Sequence, residues 1–184
     1  MQKKRILLGV TGSIDIIFLP QILKEIKKNL DCTITVLMSD NAVKFLSPET
    51  LSLWADYVIA GESPSNWPRE KPSKIVSEHD IMLVLPATAN TIANVAHGAT
   101  PNRLATVILA SNFQVLFFPA MGEIMWNKPA MKRNIIQLQE DGYEIITPVW
   151  HESYDTALGK IVRHPSIPSI EKVIDILIER LSII

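Results

Sequence analysis

The sequence predicts a single doubly wound α/β domain of the flavodoxin/Rossmann-like type, with a parallel sheet of about six strands. Short apolar runs alternate along the chain with amphipathic segments, which is the pattern of successive βαβ units. Three of these runs are nearly continuous in Ile, Leu, Val and Phe, as expected for strands covered by helices on both faces. The 184 residues are 47% hydrophobic and 20% charged, so residues 1–184 are predicted to form one globular domain.

The apolar runs set the positions of the predicted strands. The first, fourth and fifth runs are the continuous ones, and we expect them at the centre of the sheet. The predicted strands are, in chain order, Arg5–Val10, Thr33–Met38, Tyr57–Ala60, Ile81–Leu85, Val115–Pro119 and Glu144–Thr147.

Helical periodicity separates the strands. The first helix is predicted over Ile14–Asn29, and Pro20 is expected to bend its first turns because proline cannot donate a backbone hydrogen bond. Gly98 and Gly142 are expected to end the helices that precede them. The other predicted helices are Pro48–Leu53, Ala89–His97, Leu104–Ala110, Pro129–Asp141 and Ile170–Ser182.

Two segments show neither the apolar runs of strands nor the periodicity of helices. The segment Gly61–Pro72 holds three prolines, and the segment His151–Pro168 is irregular in composition. Both are predicted to be surface loops, and long loops in a compact domain are often functional.

Composition excludes several function classes. A net charge of −1 and a pI near 6.4 argue against a nucleic-acid partner. The single cysteine, Cys32, rules out an internal disulfide and is expected to be buried. We also expect no metal site, since no group of His, Cys, Asp and Glu has ligand spacing. No signal peptide or membrane-length apolar stretch is evident, so we expect a cytoplasmic protein without a membrane partner.

Small and polar residues follow the first two predicted strands. Gly9–Ser13 forms a glycine turn that opens a helix, where backbone N–H groups and the helix dipole favour a phosphate. Its spacing differs from the GxGxxG pattern of dinucleotide sites, so a mononucleotide suits it better. Ser13 is also a good N-cap, and this local role is the alternative. Ser39, Asp40 and Asn41 follow the second strand, at the edge where ligands of open α/β sheets bind.

The most informative string is PATANT, Pro86–Thr91, which follows the fourth strand. Its small residues leave room for a flat ring against the backbone. Thr88, Asn90 and Thr91 offer hydrogen bonds to a heteroaromatic edge or a phosphate. A capped helix start explains the same composition, and both interpretations stay open on the residues alone.

Taken together, these strings resemble the flavin-containing cysteine decarboxylases, especially the lantibiotic peptidyl-cysteine decarboxylases of the epidermin and mersacidin type. The turn Gly12-Ser13-Ile14 is similar to the first flavin-contacting turn of that family. The residues Ala87, Thr88, Ala89, Asn90 and Thr91 match its PASANT or PATANT motif. Pro119–Trp126 is similar to its PxMNxxMW substrate motif.

The resemblance implies FMN, or FAD as in the mersacidin branch, bound by these turns together with Ser39–Asn41, Ala120 and Met121. It implies Gly122, Met125 and Trp126 as substrate-binding residues. The reaction would be oxidation of a C-terminal peptidyl cysteine to a thioaldehyde-like state, which then loses carbon dioxide. The partner would be a precursor peptide ending in cysteine, and the assembly a homotrimer or homododecamer.

Two positions depart from the family pattern. The active-site histidine expected fourteen residues before the proline of PATANT is Pro72, and the asparagine of PxMNxxMW is Gly122. The catalytic residue is therefore undetermined, with His79, His151 and His164 as candidates for a base.

These departures leave three functions open: a peptidyl-cysteine decarboxylase with a rearranged acid–base set, a flavin-binding partner without turnover, and a phosphopantothenoylcysteine decarboxylase. The third is disfavoured because the flap of that branch carries a cysteine, and no cysteine follows Cys32 here.

Overall fold

The protein is described by a computed structural model over residues 3–61 and 66–183. Its main sheet has six parallel strands in the order β3-β2-β1-β4-β5-β6. The predicted fold class is confirmed, and the strand order is that of the Rossmann fold rather than of flavodoxin. Its strands are β1 (Lys4–Val10), β2 (Cys32–Met38), β3 (Tyr57–Ile59), β4 (Ile81–Ala87), β5 (Gln114–Pro119) and β6 (Glu144–Ile145).

Helices cover both faces of this sheet. They are α1 (Leu19–Asn29), α2 (Asp40–Val43), α3 (Pro48–Ser52), α4 (Trp67–Glu70), α5 (Pro72–Ser77), α6 (Ala89–Ala96), α7 (Arg103–Ala110), α8 (Glu123–Trp126), α9 (Pro129–Glu140) and α10 (Ile170–Leu181). The first predicted helix is divided into a 3₁₀ helix, Ile14–Phe18, and α1. Pro20 lies in the first turn of α1, where its missing N–H breaks no intrahelical bond. Gly98 and Gly142 follow α6 and α9 with φ of +65° and +91°, as helix stops require.

Two apolar cores hold the layers together. Alternate strand residues point to opposite faces, so Ile6 and Leu8 of β1 enter one core while Leu7 enters the other. The first core packs α1 and α10 against the sheet, and the second packs α5, α6, α7 and α9. All seven residues of β4 are buried, which explains its continuous apolar run.

The prediction of two irregular loops was wrong in most of their length. Residues 149–166 form a second sheet, an antiparallel hairpin of β7 (Val149–Asp155) and β8 (Lys160–Ser166). The other segment contributes α4, and its last residue begins α5, while residues 62–65 lie outside the described part of the chain. Pro68 and Pro72 both occupy first-turn positions of helices, where proline is favourable. Within the described residues, no helix has the length and apolar character to cross a membrane.

Candidate functional site

The strand order places a crevice between β1 and β4. From β1 the chain winds outward through β2 and β3, and from β4 it winds in the other direction through β5 and β6. The loops that follow β1 and β4 therefore diverge at the carboxyl edge, and this is where open α/β sheets bind their ligands. The glycine turn Gly9–Ser13 and the PATANT loop both lie at this edge.

Thr11 joins these two motifs. Its Oγ1 donates to the Pro86 carbonyl oxygen at 2.6 Å and accepts from the Thr88 N–H at 3.0 Å. The Thr11 side chain is buried, and the peptide bond that precedes Pro86 is cis. Thr11 was not predicted as a site residue, because its role depends on β1 and β4 being neighbours.

A close backbone contact joins the first motif to the loop after β2. A Cβ atom at Gly12 would lie 2.8 Å from Asn41 Cβ and 3.1 Å from its carbonyl carbon, so only glycine fits there without displacement. The Ser39 N–H donates to the Val10 carbonyl oxygen at 2.9 Å. The predicted residues Ser39, Asp40 and Asn41 thus begin α2 beside the Gly12 turn.

Local capping holds the predicted hydroxyl residues in place. Ser13 caps the 3₁₀ helix, Ser39 caps α2, and Thr88 caps α6 through the Thr91 N–H. Their side-chain oxygens therefore serve the structural role that the sequence left open. A hydroxyl keeps its own proton after accepting such a bond, and the first N–H groups of each helix have no intrahelical acceptor, so donors remain for a phosphate.

A cavity of about 640 Å³ lies next to this edge, beneath the β7–β8 hairpin. Its volume is within the usual range for small-molecule sites. Of the predicted residues, the cavity wall brings together Ser13, Ile14, Ala120, Met121, Gly122 and Met125. The Ala120 N–H donates to the Ala87 carbonyl oxygen at 3.0 Å, and this bond connects the cavity wall to the PATANT loop.

Other predicted residues do not line this cavity. The residues Ser39–Asn41 and Ala87–Thr91 lie at the same sheet edge but outside the cavity wall. Trp126 packs against the second apolar core, and Lys132 Nζ lies 4.4 Å from its ring centroid. Its expected role against a substrate is not supported by this position.

A buried carboxylate fastens the hairpin to the domain. Asp15 Oδ2 accepts from Ser166 Oγ at 2.5 Å and from the Ile167 N–H at 3.3 Å. Asp15 is 5% exposed and belongs to the 3₁₀ helix that follows Ser13. The turn at Gly12 and Ser13 and the hairpin are therefore positioned by one short element. Sequence reasoning missed Asp15, since an acidic residue near a helix start usually faces solvent.

The three candidate histidines fall in different places. His79 precedes β4, at the amino end of the sheet, so a seven-residue strand separates it from the site. Its Nδ1 lies 2.6 Å from the Ile75 carbonyl oxygen, and burial lowers its pKa. This position does not support a role for His79 as the base. His151 and His164 are direct cross-strand partners in the hairpin. His164 lines the cavity, whereas His151 lines only a second cavity of about 670 Å³ beside it.

A buried salt bridge lies beside Pro72, the residue at the position of the family histidine. Glu70 and Arg103 form a salt bridge of 2.6 Å, with side chains 5% and 7% exposed. Tyr57 Oη donates to the other Glu70 oxygen at 2.9 Å. Among the described residues, Arg103 Nε and Nη2 are buried without a hydrogen-bond acceptor. Neither Glu70 nor Arg103 lines either of the two hairpin cavities.

The residues of this edge fit a flavin. Ile14 and Met125 are exposed apolar side chains on the cavity wall, and such surfaces suit a flat aromatic ring. Backbone N–H groups at the starts of α2 and α6 suit a phosphate. No group of three or more His, Cys, Asp and Glu within residues 3–61 and 66–183 is arranged to hold a metal ion.

Comparisons with known proteins agree with this geometry. The family model described as Flavoprotein matches residues 1–182. Mersacidin decarboxylase of Bacillus sp. (strain HIL-Y85/54728) is 34% identical over 159 residues, covering 86% of this chain and 81% of that protein. Epidermin decarboxylase of Staphylococcus epidermidis is 29% identical over 171 residues, covering 93% and 92%. Mouse phosphopantothenoylcysteine decarboxylase is 33% identical over 150 residues, covering 77% and 72%.

Solved structures show the same relationship. The epidermin biosynthesis protein EpiD from Staphylococcus aureus superposes with a TM-score of 0.84 at 28% identity, covering 94% of this chain and 99% of that one. A variant of EpiD in complex with the substrate peptide DSYTC superposes with a TM-score of 0.83 at 29% identity, covering 95% and 98%. The resemblance to the lantibiotic decarboxylases is confirmed, and so is the prediction of a flavin cofactor.

Proposed function

The chain belongs to the Flavoprotein family, and from this premise we propose that it catalyses the FMN-dependent oxidative decarboxylation of a C-terminal peptidyl cysteine in lantibiotic-type peptide maturation. The observation that carries the proposal is the cavity beneath the hairpin. There the Ser13–Ile14 turn meets Ala120–Met125, the segment similar to the family's substrate motif. We further propose that residues 1–184 act as one domain, in the cytoplasm, within a homotrimer or homododecamer.

One group of residues would bind the flavin, and a second group would bind the substrate. The Gly12–Ile14 turn, the start of α2 and the PATANT loop would hold the flavin, with Ala120 and Met121 against it. The substrate would lie farther along the same wall, at Gly122 and Met125, with the hairpin above it. Bound FMN supplies the oxidising capacity for removing two hydrogens from the cysteine. The protein positions the thiol and the carboxylate and keeps water away from the oxidised cysteine, which then loses carbon dioxide.

His164 is our candidate for the group that accepts the thiol proton. It lines the cavity that holds the proposed substrate segment, and it is half-buried. Its Nδ1 lies 3.4 Å from Ser153 Oγ, which orients the ring and leaves Nε2 for the substrate. Pro72 cannot do this, since it has no titratable group, and His79 lies at the other end of β4.

The test is a peptide assay with a mass readout. The purified protein is loaded with FMN and incubated with peptides that end in cysteine, including DSYTC and precursor peptides encoded beside the gene. We expect the product to be lighter by one carbon dioxide and two hydrogens. Matched peptides ending in serine, or in cysteine amide, should keep their mass. If no peptide with a free C-terminal cysteine loses this mass, the decarboxylase proposal fails.

Two alternatives have specific observations behind them. The replacements at Pro72 and Gly122 favour a flavin-binding partner that no longer decarboxylates, and this protein would be yellow but inactive with every peptide. The similarity to the mouse enzyme favours phosphopantothenoylcysteine as the substrate, and the same assay tests it. The only cysteine argues against the second alternative. Cys32 is buried at the amino end of β2, where burial raises the pKa of its thiol.

A further inference from the structure

The hairpin brings positive charge to the cavity that Gly122 lines. Lys160 and Arg163 of β8 line the cavity together with Gly122 and Met125 of the site loop. A backbone hydrogen bond from the Met121 N–H to the Pro165 carbonyl oxygen, at 3.3 Å, joins the two walls. Gly122 is exposed and has no side chain, so the site loop offers no amide at that position.

A peptide that ends in cysteine brings a carboxylate into this cavity. A carboxylate that leaves water needs a charged or strong hydrogen-bond donor to offset its lost hydration. The cavity already holds three acidic side chains, those of Asp15, Glu123 and Asp155, which repel a further negative charge. A cation on the hairpin would offset both the lost hydration and this repulsion when the substrate enters with its carboxylate ionised.

Arg163 meets this requirement better than its neighbours do. Its guanidinium carbon lies 4.9 Å from the Trp150 ring centroid, and this stacking restricts the side chain before any ligand arrives. The ion pairs among residues 3–61 and 66–183 do not include Arg163, so its donors are not taken by a carboxylate. Each cation has an acidic cross-strand partner in register, Asp155 for Lys160 and Glu152 for Arg163, but of these two carboxylates only Asp155 lines the cavity. A planar guanidinium also matches a carboxylate with two parallel hydrogen bonds, which an ammonium cannot do.

We propose that Arg163 binds the C-terminal carboxylate of the substrate peptide and so replaces the side-chain amide that is missing at Gly122. This inference rests on the proposed function, because it takes a peptide with a free C-terminus as the ligand. It makes Arg163 a specificity-determining residue: the site selects peptides whose last residue carries a free carboxylate.

The test compares two forms of one peptide. DSYTC and its C-terminal amide, each labelled at the N-terminus with fluorescein, are titrated with the FMN-loaded protein by fluorescence anisotropy. The flavin is kept reduced so that the peptide is not consumed. The unaltered protein should bind the acid about 10- to 100-fold more tightly than the amide, the range expected for a hydrogen bond to a charged group. Arg163→Gln should abolish this preference, mainly by weakening the binding of the acid.

Two further variants separate recognition from hairpin packing. Arg133→Gln makes the same substitution at an exposed arginine of α9 outside the cavity, and it should keep the full preference for the acid. Adding Gly122→Asn to Arg163→Gln should restore part of the preference, since a Cβ atom at Gly122 has no neighbour within 4 Å.

The outcomes also separate this inference from the proposed function. If Arg163→Gln weakens the acid and the amide equally, or leaves the preference intact, Arg163 does not recognise the carboxylate, while the decarboxylase proposal stands. If the unaltered protein binds neither form, the peptide-substrate proposal fails and this inference fails with it.

Discussion

The buried ion pair beside Pro72 gives the sharpest stability prediction. Glu70→Gln keeps the size of the side chain but removes its charge, so the Arg103 guanidinium is left buried without a counter-ion. The Glu70 and Arg103 side chains are 5% and 7% exposed, and two Arg103 nitrogens already lack acceptors among the described residues. Breaking a buried pair in this way costs about 3–5 kcal/mol, because the remaining charge cannot recover its hydration.

The chain provides a matched control. Lys74 and Glu78 form a salt bridge of the same 2.6 Å length, but their side chains are 50% and 45% exposed. Glu78→Gln makes the same chemical change at the solvent-exposed surface, so it should lower the free energy of unfolding by less than about 1 kcal/mol. Burial is therefore the main difference between the two variants, and their comparison isolates its effect.

The assay is equilibrium unfolding in urea at equal flavin occupancy, followed by tryptophan fluorescence and far-ultraviolet circular dichroism. The Trp67 ring lies 5.8 Å from the Arg103 guanidinium, so its emission reports on this region. Replacing both partners, as Glu70→Leu with Arg103→Met, should cost less than Glu70→Gln alone, because no charge is left unpaired. Equal losses in Glu70→Gln and Glu78→Gln would refute the reasoning.

Two other predictions concern the site. Gly12→Ala should reduce FMN occupancy and lower the free energy of unfolding by about 1–3 kcal/mol, because the new methyl group meets Asn41. Gly122→Ala is the control: its methyl group enters open space, so neither quantity should change. Flavin absorbance measures the occupancy, and urea unfolding measures the stability. His164→Gln should lower kcat for peptide decarboxylation by about 10²–10⁴-fold, the usual contribution of a general base, whereas its cross-strand partner His151 should tolerate the same change within a few-fold. Equal kcat losses at the two histidines would remove His164 from the mechanism.

The sequence predicted the main sheet because its strands are buried on both faces. Such strands need continuous apolar runs, and a run of this kind can be recognised in the sequence without knowing which strands lie beside it. The hairpin was missed for the opposite reason. Most residues of β7 and β8 are exposed, so no alternating pattern was needed, and Pro165 within β8 argued against a strand. Pro68 and Pro72 were interpreted as loop residues, although proline also begins helices.

The site was predictable where the chemistry is carried by one continuous segment. The Gly12–Ile14 turn and the PATANT loop lie at the expected sheet edge, since each directly follows a strand whose position was visible. Thr11 and Asp15 were not predicted, because each acts through a partner distant in the chain: Pro86 and Thr88 for Thr11, and the end of the hairpin for Asp15. Periodicity and local motifs carry no information about such contacts.

The two departures from the family pattern lie outside the turns that we assign to the flavin. Gly122 lines the cavity and Pro72 begins α5, and neither belongs to the three turns that we assign to the flavin. The flavin turns are held by Thr11, by the Gly12 contact with Asn41 and by helix caps, all of which are present. We therefore expect cofactor binding and turnover to be separable in this chain. Because the hairpin supplies both His164 and Arg163, variants of the hairpin should alter peptide binding and turnover while the protein stays yellow.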